Sequence, residues 1–589
     1  MTNITKRVQS LRAKMEKYNI VAYIIPSSDP HQSEYVAERW LSRTWISNFT
    51  GSAGTALVAM DHAGLWTDTR YFLQAETELA HTPFELHKME NQFSESYTQW
   101  LCNNLKAGDT VGIDGYNFSI NQVESIEKAL QKKGILLKAN VDFISQVWED
   151  DRPALPKDPI FIHESDYLDL SIQDKIAQLK ENTTANYTLL SALDDIAWAL
   201  NLRGSDVDFN PVFIAYLLVG DETTLYIDQS KLSTEVKGYL KKANVTTKEY
   251  SDIIKTLGKL GNETSLSVDP SICSYSLAQH IVGPIVRETS QARLLKAVKT
   301  DKEVRHIRQA MVKDAVALTH AFIWLEENVA TTQITEYDFA MKLAQQRSEQ
   351  KAYYGESFPA IIGYRGNGAI IHYRPHPETA ATLSPSGVLL ADSGGQYQDG
   401  TTDITRTIAM GDDVSDEAKY AFTLVLKGMI ALDSAKFPEG TLGGQLDILA
   451  RQHLWSAGLN YGHGTGHGVG YFLNVHEPPQ GFTAGPSTRS NSVMKVGMIT
   501  SNEPGYYKAD AYGIRIENLI VTLKDKADGF LRHESVTLFP IDRKMMQLDL
   551  LTQDERDWLD TYHARVFAEV SPYLDSKQKD WLEKQCAAL

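Results

Sequence analysis

The chain is poor in the features that mark disulfide scaffolds, membrane spans and nucleic-acid binders. Its 589 residues include only three cysteines, Cys102, Cys273 and Cys586. They lie far apart, are odd in number and form no CxxC pair. A disulfide framework and a thiolate metal site are therefore excluded, and a reducing compartment fits best. No apolar run approaches the roughly 20 residues that cross a bilayer. The early run Ile20–Ile25 has only the length of a strand, and no signal-peptide core follows the opening residues, so a cytoplasmic protein is expected. Positive charge is also short: 58 Lys and Arg stand against 75 Asp and Glu, a net charge of −17 with no long basic stretch. Nucleic acid and anionic membrane surfaces are excluded as main partners.

What is present is a large globular chain. Its length exceeds one ordinary core, and its 42% hydrophobic content is ample to fill two to four. Val8, Leu11 and Met15 mark a helix over 6–19, and a strand is expected at Val21–Ile25. Strands at Ala56–Met60 and Gly64–Thr67 and a helix from Tyr71 follow. Pro153, Pro156 and Pro159 fall in a charged stretch that reads as a linker. Beyond it the outline repeats: helix Ile172–Glu181, then strands Tyr187–Ser191, Ala215–Val219 and Thr224–Ile227. Two similar α/β domains are expected, over 1–147 and 148–298, with a third over 299–589. The third opens on a capping box, Thr300 with Glu303, ahead of a long helix with Val304, Ile307, Met311, Ala315 and Leu318 on one face. A second capping box, Thr552 with Glu555, starts a helical extension at the C-terminal end.

The chemistry-bearing residues cluster in the third domain. Asp392 ends the apolar strand Val388-Leu-Leu-Ala, where a lone carboxylate is costly unless paired or metal-bound. Asp403 follows after the turn signal Asp399-Gly400, and antiparallel pairing can bring the two carboxylates together. His463 and His467 sit on the glycine-rich loop Gly462–Gly468. Glu503 lies in Glu-Pro-Gly-Tyr, and Glu517 shares a strand face with Gly513 and Arg515, so an Arg515–Glu517 pair is expected. Four carboxylates and an imidazole exceed the needs of one divalent ion. They suit two hard or borderline ions with shared ligands, such as Mn(II), Co(II) or Zn(II). Such a pair acidifies a water and clamps a carbonyl for hydrolysis. His372, in Ile370-Ile-His-Tyr-Arg-Pro, and His476, nine residues after His467, are further candidates.

Together these stretches resemble the pita-bread metallopeptidases of family M24, which include methionine aminopeptidase, prolidase and aminopeptidase P. The order Asp392, Asp403, His467, Glu503, Glu517 matches the family's five-ligand pattern. Trp66-Thr-Asp-Thr-Arg70, Ala197-Trp-Ala-Leu-Asn-Leu-Arg-Gly, Asp392–Thr407 and His463–Gly470 resemble the three-domain, cytosolic-type Xaa-Pro aminopeptidases. The resemblance implies an α/β (α+β) architecture with two creatinase/prolidase N-terminal-type domains before a pita-bread catalytic domain. It implies two metal ions, usually Mn(II), a homodimer, and removal of the N-terminal residue from peptides with proline second. The five matching residues are the implied ligands, with Asp403 and Glu517 bridging. Glu503 is implied as proton shuttle for a bridging hydroxide. His372, His463 and His476 are implied as catalytic and substrate-binding histidines, with Arg70 and Arg515 as further substrate contacts. A prolidase, which takes dipeptides, shares all five ligands. A non-catalytic peptide-binding member of the fold would lack them. The preferred first residue and the native metal are not legible.

Overall fold

The computed structural model describes residues 3–91, 93–485 and 487–589. Contacts divide the chain into two compact units: Met1–His163 with Leu170–Leu294, and Glu164–Asp169 with Leu295–Leu589.

The first unit holds two six-stranded sheets. One runs Glu85–Met89, Ala63–Asp68, Thr55–Ala59, Ala22–Ile25, Thr110–Ile113, Leu136–Lys138. The other runs Val245–Lys248, Thr223–Ile227, Ala215–Val219, Tyr187–Leu190, Leu266–Val268, Ile285–Arg287. Neighbour by neighbour, both read parallel, antiparallel, antiparallel, parallel, parallel. The expected duplication is thus present in strand order and direction. The uninterrupted apolar run at 20–25 also has its reason. Tyr23 and Ile25 enter one core and Ala22 and Ile24 the opposite one, because helices cover both faces of the sheet. The first helix is Asn3–Lys17, starting earlier than the periodicity indicates because Ile4 extends its buried stripe, and ending before Asn19 at φ 55°.

The second unit opens with helix Asp301–Asn328, whose first turn carries the expected reciprocal Thr300–Glu303 cap. Four antiparallel sheets follow among the described residues: a three-stranded one of Tyr353–Glu356, Gly395–Tyr397 and Gly400–Thr401, a two-stranded one of Gly505–Lys508 and Tyr512–Arg515, and two that carry or adjoin most of the candidate ligands. Val388–Ser393 lies between Ile361–Tyr364 and Ile404–Ala409. The larger sheet runs Lys436–Pro438, Phe530–Ser535, Asn518–Lys524, Ile499–Asn502, Gly466–Gly468, Glu477–Phe482. Helices Asp416–Asp433 and Gly443–Ser456 pack through Phe422, Val425, Met429 and Leu454 into the main core. Helices Gln553–Val570 and Ser576–Gln585 close the chain, the former with the expected Thr552–Glu555 cap. The turn between 392 and 403 is shifted by one residue from expectation. Tyr397 pairs with Gly400, so Gln398 and Asp399 form the turn and Gly400 starts the return strand. Asp399 reaches Lys313 Nζ at 2.5 Å. Among the described residues no helix is long and apolar enough to cross a membrane.

Candidate metal centre

Strand pairing explains how residues from five separate stretches converge. Asp392 is the last residue but one of Val388–Ser393, the central strand of its three-stranded sheet, with Ile361 on one side and Thr405 on the other. Asp403 lies just outside that ladder, where the chain enters Ile404–Ala409. His467 occupies the middle of the short strand Gly466–Gly468, and Glu503 follows Ile499–Asn502 in the same sheet. Glu517 sits in the break between Tyr512–Arg515 and Asn518–Lys524, two strands of different sheets. Its backbone N–H donates to the Thr405 carbonyl, which fastens this break to the Asp392–Asp403 hairpin.

One ligand atom each of Asp403, His467 and Glu517 lie within 4.8 Å of one another, and all three residues are buried. His467 Nε2 is 3.5 Å from Asp403 Oδ2 and 3.4 Å from Glu503 Oε1. The His467 Nδ1–H donates to the Gly468 carbonyl at 2.9 Å. A carbonyl can only accept, so Nδ1 carries a proton and Nε2 is the ring nitrogen turned toward the cluster. Ser501 Oγ accepts from the His467 backbone N–H at 2.9 Å and donates to Glu503 Oε1 at 3.1 Å. Glycine is required here by space: a Cβ on Gly466 would stand 1.8 Å from the Ser501 carbonyl oxygen.

Arginine 515 corrects a sequence expectation. It does not pair with Glu517. Its Nη2 reaches Asp392 Oδ2 at 2.6 Å, its Nη1 donates to Tyr507 Oη at 2.7 Å, and its Nε to Thr405 Oγ1 at 3.1 Å. The strand stops at Arg515, so the alternation that placed both side chains on one face does not extend to Glu517. Thr405 in turn donates to Glu517 Oε2 at 2.8 Å, which makes its hydroxyl the link between arginine and glutamate.

The electrostatics are those of an anion-rich, dry site with one arginine. Burial is the first cause that raises the Asp403 and Glu517 carboxyls well above the usual range. Nearby carboxylates add to it: Glu517 and Asp392 act on Asp403, and Glu503 and Asp392 on Glu517. Burial lifts Glu503 to about 7, with Arg515 and His476 opposing. Asp392 Oδ1 and Glu517 Oε1 are buried with no hydrogen-bond partner among the described residues. Orphaned carboxylate oxygens beside an imidazole Nε2 are the donor set of hard or borderline divalent cations, so the residues fit such ions.

The other candidates divide. His476 packs edge-on against the His467 ring, centroids 4.2 Å apart. The His463 Nδ1–H donates to the Gly464 carbonyl, and its Nε2 accepts from Tyr507 Oη at 2.8 Å. His372 is half-buried in the turn after Arg365–Ala369. Arg70 belongs to the first unit, where it forms a bidentate pair with Asp68 at 2.8 Å. Arg515 is 2% exposed, its guanidinium taken up by protein groups.

Sequence reading passed over four residues that hold the site. Tyr507 bridges Arg515 and His463, and Thr405 bridges Arg515 and Glu517. Asp447 and Arg451, 2.6 Å apart, secure the histidine loop: Arg451 donates to the Tyr461 and His463 carbonyls at 3.0 and 2.7 Å, and Thr465 Oγ1 donates to Asp447 at 2.5 Å. The available signal was an i, i+4 charge pair on a helix otherwise destined for the core.

Comparison with known proteins gives this geometry a lineage. Residues 305–524 match Metallopeptidase family M24, and residues 529–589 match the C-terminal region of peptidase M24. Residues 7–143 and 151–303 each match the Creatinase/Prolidase N-terminal domain. Aminopeptidase P2 of Arabidopsis thaliana is 40% identical over 98% of this chain and 88% of its own. The chain belongs to metallopeptidase family M24. Another relative in the family, Xaa-Pro aminopeptidase 1 of Dictyostelium discoideum, is 36% identical over 100% of this chain and 97% of its own. The solved X-prolyl aminopeptidase of Caenorhabditis elegans superposes with a TM-score of 0.96 at 32% identity, covering 100% of both chains. That protein is described as a cytosolic enzyme with a di-nuclear active site. The α/β architecture, with two N-terminal domains ahead of an M24 catalytic domain, is therefore that of the family, and the chain is a hydrolase.

Proposed function

We propose that the protein is a metal-dependent Xaa-Pro aminopeptidase, which releases the N-terminal residue from peptides with proline in second position. The reading is carried by one arrangement: Asp403, His467 and Glu517 within 4.8 Å, with Glu503 3.4 Å from His467. Full-length relatives that bear the Xaa-Pro aminopeptidase name support it.

In this proposal Asp392, Asp403, His467, Glu503 and Glu517 would hold two divalent ions. Mn(II) is the proposed occupant, and Co(II) and Zn(II) suit the same donors. Two ions here supply an acidified water and a Lewis acid for the scissile carbonyl. Glu503 serves as general base and then acid. The proton it takes is delivered to the proline nitrogen as that bond breaks. His463 and His476 hydrogen-bond substrate and the developing oxyanion, and His372 joins them. Tyr507 fixes His463, and Arg515 holds Asp392 rather than substrate. Arg70 is proposed as a substrate contact. The domain limits 1–147, 148–298 and 299–589, a cytoplasmic location and a homodimer belong to the same proposal. The cytosolic description of the Caenorhabditis elegans enzyme supports the location.

The test is hydrolysis of an Xaa-Pro-Xaa tripeptide and an Xaa-Pro dipeptide by chelated protein, before and after each metal is restored. Metal-restored cleavage of the tripeptide, with release of the first residue, is expected. Cleavage of the dipeptide alone would make the protein a prolidase, and metal-independent turnover would overturn the ligand assignment.

A further inference from the structure

A second group of metal-ligand side chains lies in the first unit, in the sheet that contains Ala22–Ile25. His62 stands in the turn between Thr55–Ala59 and Ala63–Asp68, and Glu85 and His87 occupy alternate positions of the edge strand Glu85–Met89. Alternation puts Glu85 and His87 on one face of that strand. The three offer ligand atoms within 4.8 Å of one another. His62 Nε2 and His87 Nε2 face each other at 3.2 Å, and His62 Nδ1 lies 3.8 Å from Glu85 Oε2.

Both imidazoles are clamped. The His87 ring stacks on Trp66, with centroids 3.8 Å apart and planes 11° apart. The His62 ring stacks on Trp100 at 4.5 Å and 23°. Trp66 is itself fixed by its indole N–H, which donates to the Glu95 carbonyl at 3.0 Å. The turn that carries His62 is tied down by Arg12, which donates to the Ala59 and His62 carbonyls at 2.8 and 3.0 Å. Gly64 leaves the room the ring needs, since a Cβ there would stand 2.7 Å from His62 Nε2. Burial lowers the pKa of both histidines.

We propose that His62, His87 and Glu85 form a binding site for a single borderline divalent ion, Zn(II) in the first instance, separate from the catalytic centre. Two imidazole nitrogens bound to one tetrahedral ion at about 2.0–2.1 Å each stand about 3.3–3.4 Å apart, close to the spacing found here. Glu85, whose side chain is 70% exposed, supplies an oxygen from the solvent side, and water completes the shell. The ion ties the edge strand to the turn between its two neighbouring strands, a staple where a sheet margin has no further partner.

The test uses the full-length protein with its catalytic centre filled with Mn(II). It is mixed with one equivalent of Zn(II), desalted and analysed for metal content. Zinc is expected to stay with the wild type, and to be lost from His62→Gln and His87→Gln while both histidine variants keep peptide hydrolysis. Glu85→Ala, a surface change that leaves packing intact, is expected to retain less zinc than wild type, which keeps the proposal testable if a histidine variant fails to fold. Zinc lost from the wild type, or retained equally by all variants, would overturn the site and leave the two rings as a hydrogen-bonded pair.

Discussion

Arg515, at the end of strand Tyr512–Arg515, grips Asp392 on the neighbouring three-stranded sheet, Nη2 to Oδ2 at 2.6 Å, and both side chains are buried. It faces four carboxylates, and among the described residues its guanidinium donates directly to that of Asp392. The arginine therefore fixes one oxygen of Asp392, while the other, Oδ1, has no hydrogen-bond partner among the described residues. That division orients a ligand before any ion arrives.

Arg515→Met should lower the stability of the metal-free protein by about 3–5 kcal/mol, because a buried carboxylate loses its counter-charge. Added metal should restore part of the loss. Urea unfolding with and without Mn(II) measures both, and equal loss in the two conditions would count against the orienting role.

Asp403→Asn should abolish peptide hydrolysis yet raise the melting temperature of the metal-free protein. Asp403 is buried among Glu517, Asp392 and Glu503, so its charge is unfavourable until cations neutralise the group. Scanning calorimetry on chelated wild type and variant, with a parallel activity assay, checks the opposite signs.

The metal-free protein should lose stability as pH rises from about 4.5 to about 7. Glu503 has its folded pKa raised from 4.5 to about 7 by burial, and Asp403 and Glu517 shift in the same direction. In that window the unfolded chain has released protons that the folded chain still holds, so ionisation favours unfolding. Bound metal reverses the trend, since it prefers the ionised ligands. Melting temperatures across this range, chelated and metal-loaded, should therefore diverge with pH.

Tyr507→Phe should lower kcat/KM about tenfold, the ~1.4 kcal/mol of a lost hydrogen bond. Its hydroxyl joins Arg515 Nη1 to His463 Nε2, and without it the imidazole loses the partner that fixes its position. Metal content should be unchanged, which separates this residue from the ligands.

Gly466→Ala should cost about 3 kcal/mol and remove activity, because the new methyl meets the Ser501 carbonyl oxygen at 1.8 Å and pushes the His467 strand from its neighbour. Denaturant titration and metal analysis of the variant provide the check.

The residues themselves determined whatever depends on near neighbours. Reciprocal caps at Thr300 and Thr552 were legible because a cap is a contact across three residues. The proline-rich stretch near 153, the apolar run at 20–25 and the glycine-rich histidine loop were legible for the same reason. So were the five candidate ligands, each set in a short, chemically unusual stretch.

Tertiary structure decided the partners. Arg515 lies two residues from Glu517 but pairs with Asp392, 123 positions away, because strand register and the break at Glu517 set its direction. Asp447 and Arg451 carry the histidine loop only because their helix faces it. Parallel pairing sets His87 beside Trp66, and its Nε2 meets that of His62 in the neighbouring turn, 25 positions away. Local sequence sets which conformations are cheap, whereas burial and sheet register set which distant charges must share one dry space, and this protein's chemistry resides in those distant pairings.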